Sequence, residues 1–264
     1  MIDLKGFELF LKEEELAQNT IDSYMTTMRQ YASRYDEISK TNAIEFKQSF
    51  MSFKPKTVNA KITAIEKYST YIGKPIKVKR LKIQKISHVE NVITKQQYKK
   101  LLSCLKAEKN YRWITNILVL AKTGARASEA IKITKGDITK GYTDIYTKGK
   151  VRRIYIPKSL KDEIWENISE LKDSDTVVRG RFGEITTRGL SQQLINFAKR
   201  FDISIKVMHP HSFRHFFAIN FLEKNQDISL LADLLGHSGV NTTMIYLRKS
   251  SEQQKKEIDK AVDW

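Results

Sequence analysis

A basic stretch without a single acidic residue divides the chain into two parts with different sequence patterns. It runs from Gly73 to Ser87 and contains Pro75. Basic and apolar residues alternate along it, and a proline disfavours helix at the residue before it, so we expect an extended segment. Its cations are Lys74, Lys77, Lys79, Arg80, Lys82 and Lys85. The chain is therefore predicted to hold two domains, 1–72 and 88–264, joined by a basic linker of residues 73–87 that tracks a phosphate backbone; an edge strand or a tether without a partner is the alternative.

The first domain is predicted to be wholly helical. Apolar residues recur every three to four positions throughout residues 1–72, which is the spacing of one face of a helix. The clearest runs are Ile21, Tyr24, Met25 and Met28, and Val58, Ile62, Ile65 and Tyr68. Four short helices joined by brief turns make a small helical bundle.

The second domain begins with helical signals. Thr94 and Gln97 have the spacing of a capping box, which predicts a helix that continues to Leu105. A further helix, from Trp113 to Lys122, is expected to end at Gly124, because glycine tolerates the left-handed conformation of a helix C-terminus.

After Asp137 the pattern changes to that of strands. Tyr142 to Thr147 and Val151 to Ile156 are rich in aromatic and β-branched residues and flank Lys148-Gly149-Lys150, which predicts a β-hairpin. Helices are expected to dominate after Lys158, apart from a short strand at Thr176 to Arg179. The predicted fold class is mainly α with a small antiparallel β-sheet.

The net charge suggests a polyanionic partner. The chain has 47 Lys and Arg against 30 Asp and Glu, a formal net charge of +17. Basic side chains release the counterions condensed on phosphates, so such an excess favours nucleic acid. A solvated lysine-rich surface is the alternative.

The cellular compartment is predicted from cysteine and from hydropathy. Cys104 is the only cysteine, which excludes an internal disulfide and fits a reducing cytosol. No apolar run approaches the roughly 20 residues of a membrane span, and residues 1–10 lack the apolar core of a signal peptide. We therefore expect a cytoplasmic protein without a membrane partner.

Three separated segments concentrate residues that can bind a phosphate. They are residues 123–129 (TGARASE), residues 209–215 (HPHSFRH), and residues 235–246, which contain Leu235-Gly236-His237 and end at Tyr246. The i,i+3 spacing puts His211 and Arg214 on one face of a predicted helix. A metal site is the obvious alternative for three histidines within seven residues. We predict none, because no cysteine or acidic cluster nearby completes a ligand set.

Together these segments resemble the tyrosine recombinase (phage integrase) family. TGARASE corresponds to the family's first arginine box and indicates Arg126. His211-Ser212-Phe213-Arg214-His215 corresponds to the second box, with Phe213 in place of the usual leucine. Leu235-Gly236-His237, Thr242-Thr243 and Tyr246 meet the third. The similarity covers most of residues 88–250, and the helical domain 1–72 looks like the family's core-binding domain.

The family also places a lysine in the turn of a β-hairpin. Lys148 aligns best with that lysine, and Lys150 remains the second candidate because the turn length departs slightly from the common pattern. The resemblance implies that this lysine donates a proton to the leaving 5′-oxygen.

The chemistry of DNA cleavage assigns the other roles. Attack on a phosphodiester builds negative charge on the nonbridging oxygens, which the planar forks of Arg126 and Arg214 can stabilise without a metal. We expect His237 to donate a further hydrogen bond to the same oxygens. A tyrosine hydroxyl has a pKa near about 10, so Tyr246 needs a proton acceptor, and His211 is our candidate.

Two residues are expected to support the site. Glu129 is a candidate for orienting Arg126, with a solvent-exposed carboxylate as the alternative, and His215 matches a family position and is expected to buttress the site. The resemblance implies a 3′-phosphotyrosyl intermediate and a free 5′-hydroxyl. The phosphotyrosyl bond retains the bond energy, so no ATP or other cofactor is expected.

The predicted function is site-specific recombination of double-stranded DNA, in DNA integration, excision or dimer resolution, and the resemblance implies a homotetramer in a synaptic complex on DNA. Residues 252–264 are predicted to form a tail helix, which in the family docks on a neighbouring protomer; folding back on its own domain is the alternative. A type IB topoisomerase-like enzyme shares the chemistry on a single duplex. A DNA-binding protein that has lost catalysis is a third hypothesis, disfavoured because all the expected positions are occupied. The length resembles Xer-type or small mobile-element enzymes without an arm-binding domain.

Overall fold

The structure is a computed structural model that describes residues 2–83, 89–147, 150–237 and 239–247, together with residues 258, 259 and 262. The chain divides into two compact units, residues 1–85 and 86–264. Helices predominate, with two small antiparallel pairs of strands, so the predicted fold class is confirmed. Within the described ranges, no helix combines the length and the apolar character needed to cross a bilayer.

The first unit is a bundle of four helices. These are α1 (Leu4–Glu13), α2 (Gln18–Ala32), α3 (Lys40–Gln48) and α4 (Pro55–Tyr71). Each contributes apolar residues at helical spacing to one core, which includes Phe7, Met28, Phe46 and Ile62. The predicted helical bundle is therefore present.

Part of the basic segment packs on this first unit. Val78 is buried in the core of the bundle, and its backbone N–H donates to Glu66 Oε1 (3.0 Å). Arg80 forms an ion pair with the other oxygen of the same carboxylate, Nη2 to Oε2 at 2.7 Å. The segment has neither helix nor strand over 74–83, as the alternation and Pro75 predict.

The second unit is built around α6 (Tyr111–Thr123), which follows α5 (Lys95–Ala107). The predicted capping box of α5 is present: the Thr94 side chain accepts from Gln97 N, and the Gln97 side chain accepts from Thr94 N. Helix α6 ends at Gly124 with a φ of +62°, as predicted. Two short helices follow, α7 (Ala127–Ala130) and α8 (Lys135–Lys140).

The predicted hairpin consists of β1 (Tyr142–Thr147) and β2 (Lys150–Tyr155), with Tyr142 opposite Tyr155 and Thr147 opposite Lys150. Lys148 and Gly149 lie outside the described residues. Helix α9 (Lys158–Ile168) follows, then a second pair, β3 (Arg179–Gly180) and β4 (Gly183–Glu184). The strand predicted at Thr176 to Arg179 is thus wrong in its bounds, because Thr176 forms only an isolated antiparallel bridge with Thr134 and the strand itself begins at Arg179. Val177 and Val178 are buried core residues, and burial of β-branched side chains produces a strand-like pattern.

The last helices bring the remaining motifs together. They are α10 (Thr187–Arg200), α11 (Pro210–Lys224), which packs against α6, and α12 (Ile228–Leu235). Two 3₁₀ turns, Val240–Thr242 and Met244–Tyr246, complete this part of the unit. Of the predicted tail helix at 252–264, only residues 258, 259 and 262 are described.

Candidate active site

Arg126 lies at the N-terminus of α7, where both its backbone and its side chain bond Glu129. The Arg126 backbone N–H donates to Glu129 Oε2 (2.7 Å), and its guanidinium Nη1 donates to Oε1 (2.8 Å). Nη2 lies 3.2 Å from the carbonyl oxygen of Gly236. The Arg126 side chain is 44% exposed, so its guanidinium is fixed in direction and still open to a ligand. The three-residue spacing within TGARASE thus lets the Glu129 carboxylate accept from both the backbone and the side chain of Arg126, which itself has no acceptor and so forms no capping box.

Glu129 is a buried anion, which excludes the alternative of a solvent-exposed carboxylate. Its side chain is 7% exposed. Burial by itself raises the pKa of Glu129, but hydrogen bonds from Arg126 and Arg152 outweigh burial and hold that pKa below its ordinary value. The carboxylate therefore stays charged and orients two cations.

Arg152 on strand β2 belongs to this site and was not among the predicted residues. Its Nη1 donates to Glu129 Oε2 (2.5 Å), and its Nη2 donates to the carbonyl oxygen of Leu234 (2.7 Å). The side chain is 12% exposed. A signal was available in the sequence, because Arg152 alternates with Ile154 and Ile156, both buried. A charged residue on the buried face of a strand requires a partner.

Arg214 on α11 lies beneath the site and is 2% exposed. Its Nη1 donates to the carbonyl oxygen of Gly124 (2.7 Å) and its Nη2 to that of Leu235 (2.5 Å). Burial, together with the charges of Arg126 and Arg152, lowers the pKa of Arg214 to about 10, so the side chain remains cationic at neutral pH. One guanidinium therefore joins the loop of the first arginine box to the Leu235-Gly236-His237 turn.

His237 accepts from Arg214 and donates to Thr243. Its Nε2 lies 3.2 Å from Arg214 Nη2, and its Nδ1 lies 2.7 Å from Thr243 Oγ1. An arginine only donates, so Nε2 is the acceptor and the proton resides on Nδ1. Burial, followed by the charge of Arg214, lowers the pKa of His237 to about 4. Because a hydroxyl can donate or accept, Thr243 can support either tautomer of this ring.

Tyr246 points its hydroxyl at His215. The Tyr246 Oη lies 2.7 Å from His215 Nδ1, and the two rings are 5.5 Å apart. Burial raises the pKa of Tyr246, an effect that the charge of Arg214 partly offsets. Burial and then the neighbouring His211 lower the pKa of His215 to about 4. His215 is therefore neutral at pH 7, and its Nδ1 accepts a hydrogen bond from the Tyr246 hydroxyl, which keeps its proton.

His211 is exposed and lies one helical turn before His215, with 4.5 Å between the ring centroids. Burial of part of the ring, then the charge of Arg214, lowers the pKa of His211. His211, Arg126 and Arg214 line an open cavity of about 450 Å³, together with Thr187 and Ser191 of α10. Two arginine cations beside one open cavity form an anion-binding site, and arginine forks match the oxygens of a phosphate.

The structure thus brings six predicted residues into one region of the second unit: Arg126, Glu129, His211, Arg214, His237 and Tyr246. His215, expected as a support, contacts Tyr246 directly. Lys148 and Lys85 lie outside the described residues, whereas Lys74, Lys77, Lys79, Arg80 and Lys82 belong to the first unit. No group of three or more His, Cys, Asp or Glu in the described part of the chain has the arrangement of a metal site.

Comparisons with known proteins give a consistent result. Residues 91–253 match the sequence profile of the phage integrase family. The tyrosine recombinase XerA of Thermococcus kodakarensis is 28% identical over 271 residues, which cover 98% of this chain and 94% of that protein. The tyrosine recombinase XerD of Staphylococcus haemolyticus is 29% identical over 268 residues, which cover 95% of this chain and 86% of that protein.

A solved structure resembles the whole chain. It is the Tn1549 transposon integrase in complex with transposon right end DNA, with a TM-score of 0.72 and 16% sequence identity, covering 98% of this chain and 99% of that one. At this identity the likeness concerns the fold.

Proposed function

The chain belongs to the phage integrase family, and on that premise we propose that it is a site-specific tyrosine recombinase that cleaves and rejoins double-stranded DNA. One observation carries the proposal. The Tyr246 hydroxyl bonds His215 and lies within the influence of the Arg214 charge, and Arg214 lines an open cavity together with Arg126 and His211. Arg214 thus links the nucleophile to the phosphate-binding site.

The proposed reaction needs no hydrolysis of a nucleotide. Tyr246 Oη attacks the scissile phosphorus, the Oη–P bond forms, and the P–O5′ bond breaks. Arg126 and Arg214 stabilise the charge that develops on the nonbridging oxygens. The departing 5′-oxygen takes a proton from the hairpin lysine, Lys148, with Lys150 as the second candidate. The 5′-hydroxyl later attacks the phosphotyrosyl bond and restores the duplex.

His237 must carry a proton on Nε2 to act in this mechanism. Its Nε2 accepts from Arg214 in the free protein, so donation to a phosphate oxygen needs a proton on Nε2. The Thr243 hydroxyl, 2.7 Å from Nδ1, permits that change because it can donate to an unprotonated Nδ1. We assign to Thr243 the role of supporting both tautomers.

Recombination is favoured over relaxation of supercoils by a type IB topoisomerase. The relatives described above are recombinases by name and align over nearly the whole chain. A hypothesis of a binding protein without catalysis is disfavoured, because Tyr246, Arg126 and Arg214 are all present with ordered partners. A relaxation assay distinguishes the two enzymes. A recombinase should not relax a supercoiled plasmid that lacks its recombination site, whereas a topoisomerase should.

The proposed partners follow from the same premise. Two DNA duplexes are joined by four copies of the chain in a synaptic complex, with the tail 252–264 bridging protomers. The basic residues of 73–87 contact the phosphate backbone, and the reaction takes place in the cytoplasm, where bacterial and archaeal DNA resides. Which DNA sequence is recombined depends on base-edge contacts and on DNA shape.

Covalent capture tests this proposal. Wild type and Tyr246→Phe are incubated with sheared DNA that flanks the protein's own reading frame, and adducts that resist denaturation are isolated and sequenced. A duplex nicked beside the captured phosphate then serves as a suicide substrate. We expect an adduct with wild type only, while both proteins bind the duplex with similar affinity. An adduct with both proteins contradicts the proposal, and so does the absence of any adduct with wild type on all the DNA tested.

A further inference from the structure

We propose that His215, rather than His211, accepts the proton of the Tyr246 hydroxyl, and that it does so only when a DNA phosphate occupies the site. This inference rests on the proposed function and deepens it. It assigns a catalytic role to a residue that the sequence indicated only as a support.

The geometry distinguishes the two histidines. His215 Nδ1 lies 2.7 Å from Tyr246 Oη, which is within the reach required of a general base. His211 lies one helical turn away, meets His215 edge to face and lines the phosphate cavity with Arg126 and Arg214. His211 is thus placed to contact the phosphate, and His215 to contact the nucleophile.

The surrounding charges explain why the base needs the substrate. The groups that act on His215 are His211 and Arg214 on its own helix, His209 before it, His237 after α12, and Tyr246. None of these is an anion in the free protein. Burial, and then the neighbouring His211, keep the imidazole uncharged, and burial keeps the proton on Tyr246. The Tyr246 hydroxyl therefore stays protonated and unreactive in the free protein.

A bound phosphodiester changes this balance. It brings one negative charge beside Arg126 and Arg214, and opposite charge within a few ångströms favours the protonated form of a histidine. His215 becomes a stronger base at the moment when the phosphorus is in position. Attack on a misplaced strand is avoided, because the proton does not leave Tyr246 without the scissile phosphate in the site.

The step is balanced in both directions. In cleavage, the Oη–P bond forms and the P–O5′ bond breaks; the Tyr246 proton moves to His215 Nδ1, and the 5′-oxygen takes a proton from the hairpin lysine. In rejoining, the O5′–P bond forms, and the departing Tyr246 oxygen recovers its proton from His215.

Two substitutions separate a base from a hydrogen-bond partner. In His215→Asn the side-chain oxygen stands near the place of Nδ1 and still accepts from Tyr246, but it has no useful basicity. His215→Phe removes both properties. Single-turnover cleavage of the captured, nicked duplex is measured from pH 6 to pH 9 for wild type, for both variants and for His211→Gln.

We expect both His215 variants to cleave roughly 10²- to 10⁴-fold more slowly than wild type, the usual contribution of a general base. Their rates should rise about tenfold per pH unit, because hydroxide must then take the proton, whereas the wild-type rate should level off. His211→Gln should be slower and keep the wild-type plateau. Binding of the duplex should change less than about threefold.

Several results would overturn the inference. Wild-type cleavage by His215→Asn would show that the hydrogen bond only positions Tyr246. A wild-type cleavage rate that keeps rising tenfold per pH unit up to pH 9 would show that no histidine acts as the base. This measurement uses no variant, so the inference can be tested even if a variant misfolds. Loss of the plateau in His211→Gln alone would return the role to His211. Adduct formation by wild type shows separately that the proposed function holds.

Discussion

Arg152 Nη1 donates a hydrogen bond to Glu129 Oε2 over 2.5 Å, and this bond joins strand β2 to the carboxylate that holds Arg126. The same guanidinium reaches the carbonyl oxygen of Leu234. Three segments that are distant in sequence therefore meet at one buried ion pair. Its integrity should matter for both stability and cleavage.

Replacement of Arg152 tests that ion pair. In Arg152→Met, Glu129 loses a charged donor in a buried position, and we expect unfolding free energy to fall by roughly 2–3 kcal/mol, since hydrogen bonds to charged groups contribute about 1.5–3 kcal/mol. Urea denaturation measures the change. Arg153→Met is the matched control: its partner Asp144 pairs with it at the surface, where solvent screens an ion pair and the loss of stability should be much smaller. Equal losses in the two variants would contradict the assignment.

Gly236 is constrained by backbone conformation and by space. It has a φ of +60°, and a Cβ there would lie 2.2 Å from Arg152 Cδ. Gly236→Ala should therefore displace Arg152, destabilise the second unit and slow cleavage. Gly141→Ala is the control, because Gly141 has a φ of +86° with nothing within 4 Å of its Cβ. Gly141→Ala should lose only the left-handed strain energy of about 1–2 kcal/mol. Any further loss of unfolding free energy in Gly236→Ala then measures the clash with Arg152.

Arg214 should not be replaceable by lysine. A lysine side chain is shorter and ends in one nitrogen, so it lacks the two separate Nη donors that reach the carbonyl oxygens of Gly124 and Leu235. We expect Arg214→Lys to lower the single-turnover cleavage rate by 10²- to 10³-fold, in line with the roughly 3–4 kcal/mol lost with an oxyanion donor. Arg200→Lys, at an exposed position 63% accessible to solvent, is the control for the chemical change. A rate within tenfold of wild type would argue against this role for Arg214.

Stability should fall in mild acid because of two half-buried histidines. The pKa values of His215 and His237 are about 4, below the ordinary value of 6.5. Between pH 6.5 and pH 4 the unfolded chain therefore binds more protons than the folded chain, so unfolding is favoured as the pH falls. Glu129, whose pKa is lowered from 4.5, adds its own loss only at still lower pH.

Urea denaturation at pH 7, 6, 5 and 4.5 measures that dependence. His215→Asn, which does not titrate, should show a shallower loss of stability between pH 6.5 and pH 4 than wild type. A wild-type midpoint that stays constant over this interval would mean that both histidines keep ordinary pKa values in the folded chain.

Much of the fold could be predicted from local patterns. Helical spacing identified the bundle of 1–72, the Thr94–Gln97 capping box and Gly124 marked the ends of α5 and α6, and alternation located the hairpin. Each of these depends on residues a few positions apart. The bounds of β3 could not be predicted, because the buried Val177 and Val178 follow an isolated bridge at Thr176, and a local pattern does not distinguish such a bridge from a strand.

The sequence by itself indicated most of the residues that the structure brings together, though not Arg152. Arg126, Glu129, Arg214, His237 and Tyr246 were identifiable because their types and order suit phosphoryl transfer. Tertiary structure alone decided which atoms meet. Arg214 bonds Gly124 across 90 positions and Leu235 across 21, and Tyr246 meets His215 rather than His211. Arg152 joined the site for the same reason: local periodicity defines the face on which a side chain lies, but burial and the partners of a charge depend on chain segments that only folding brings together.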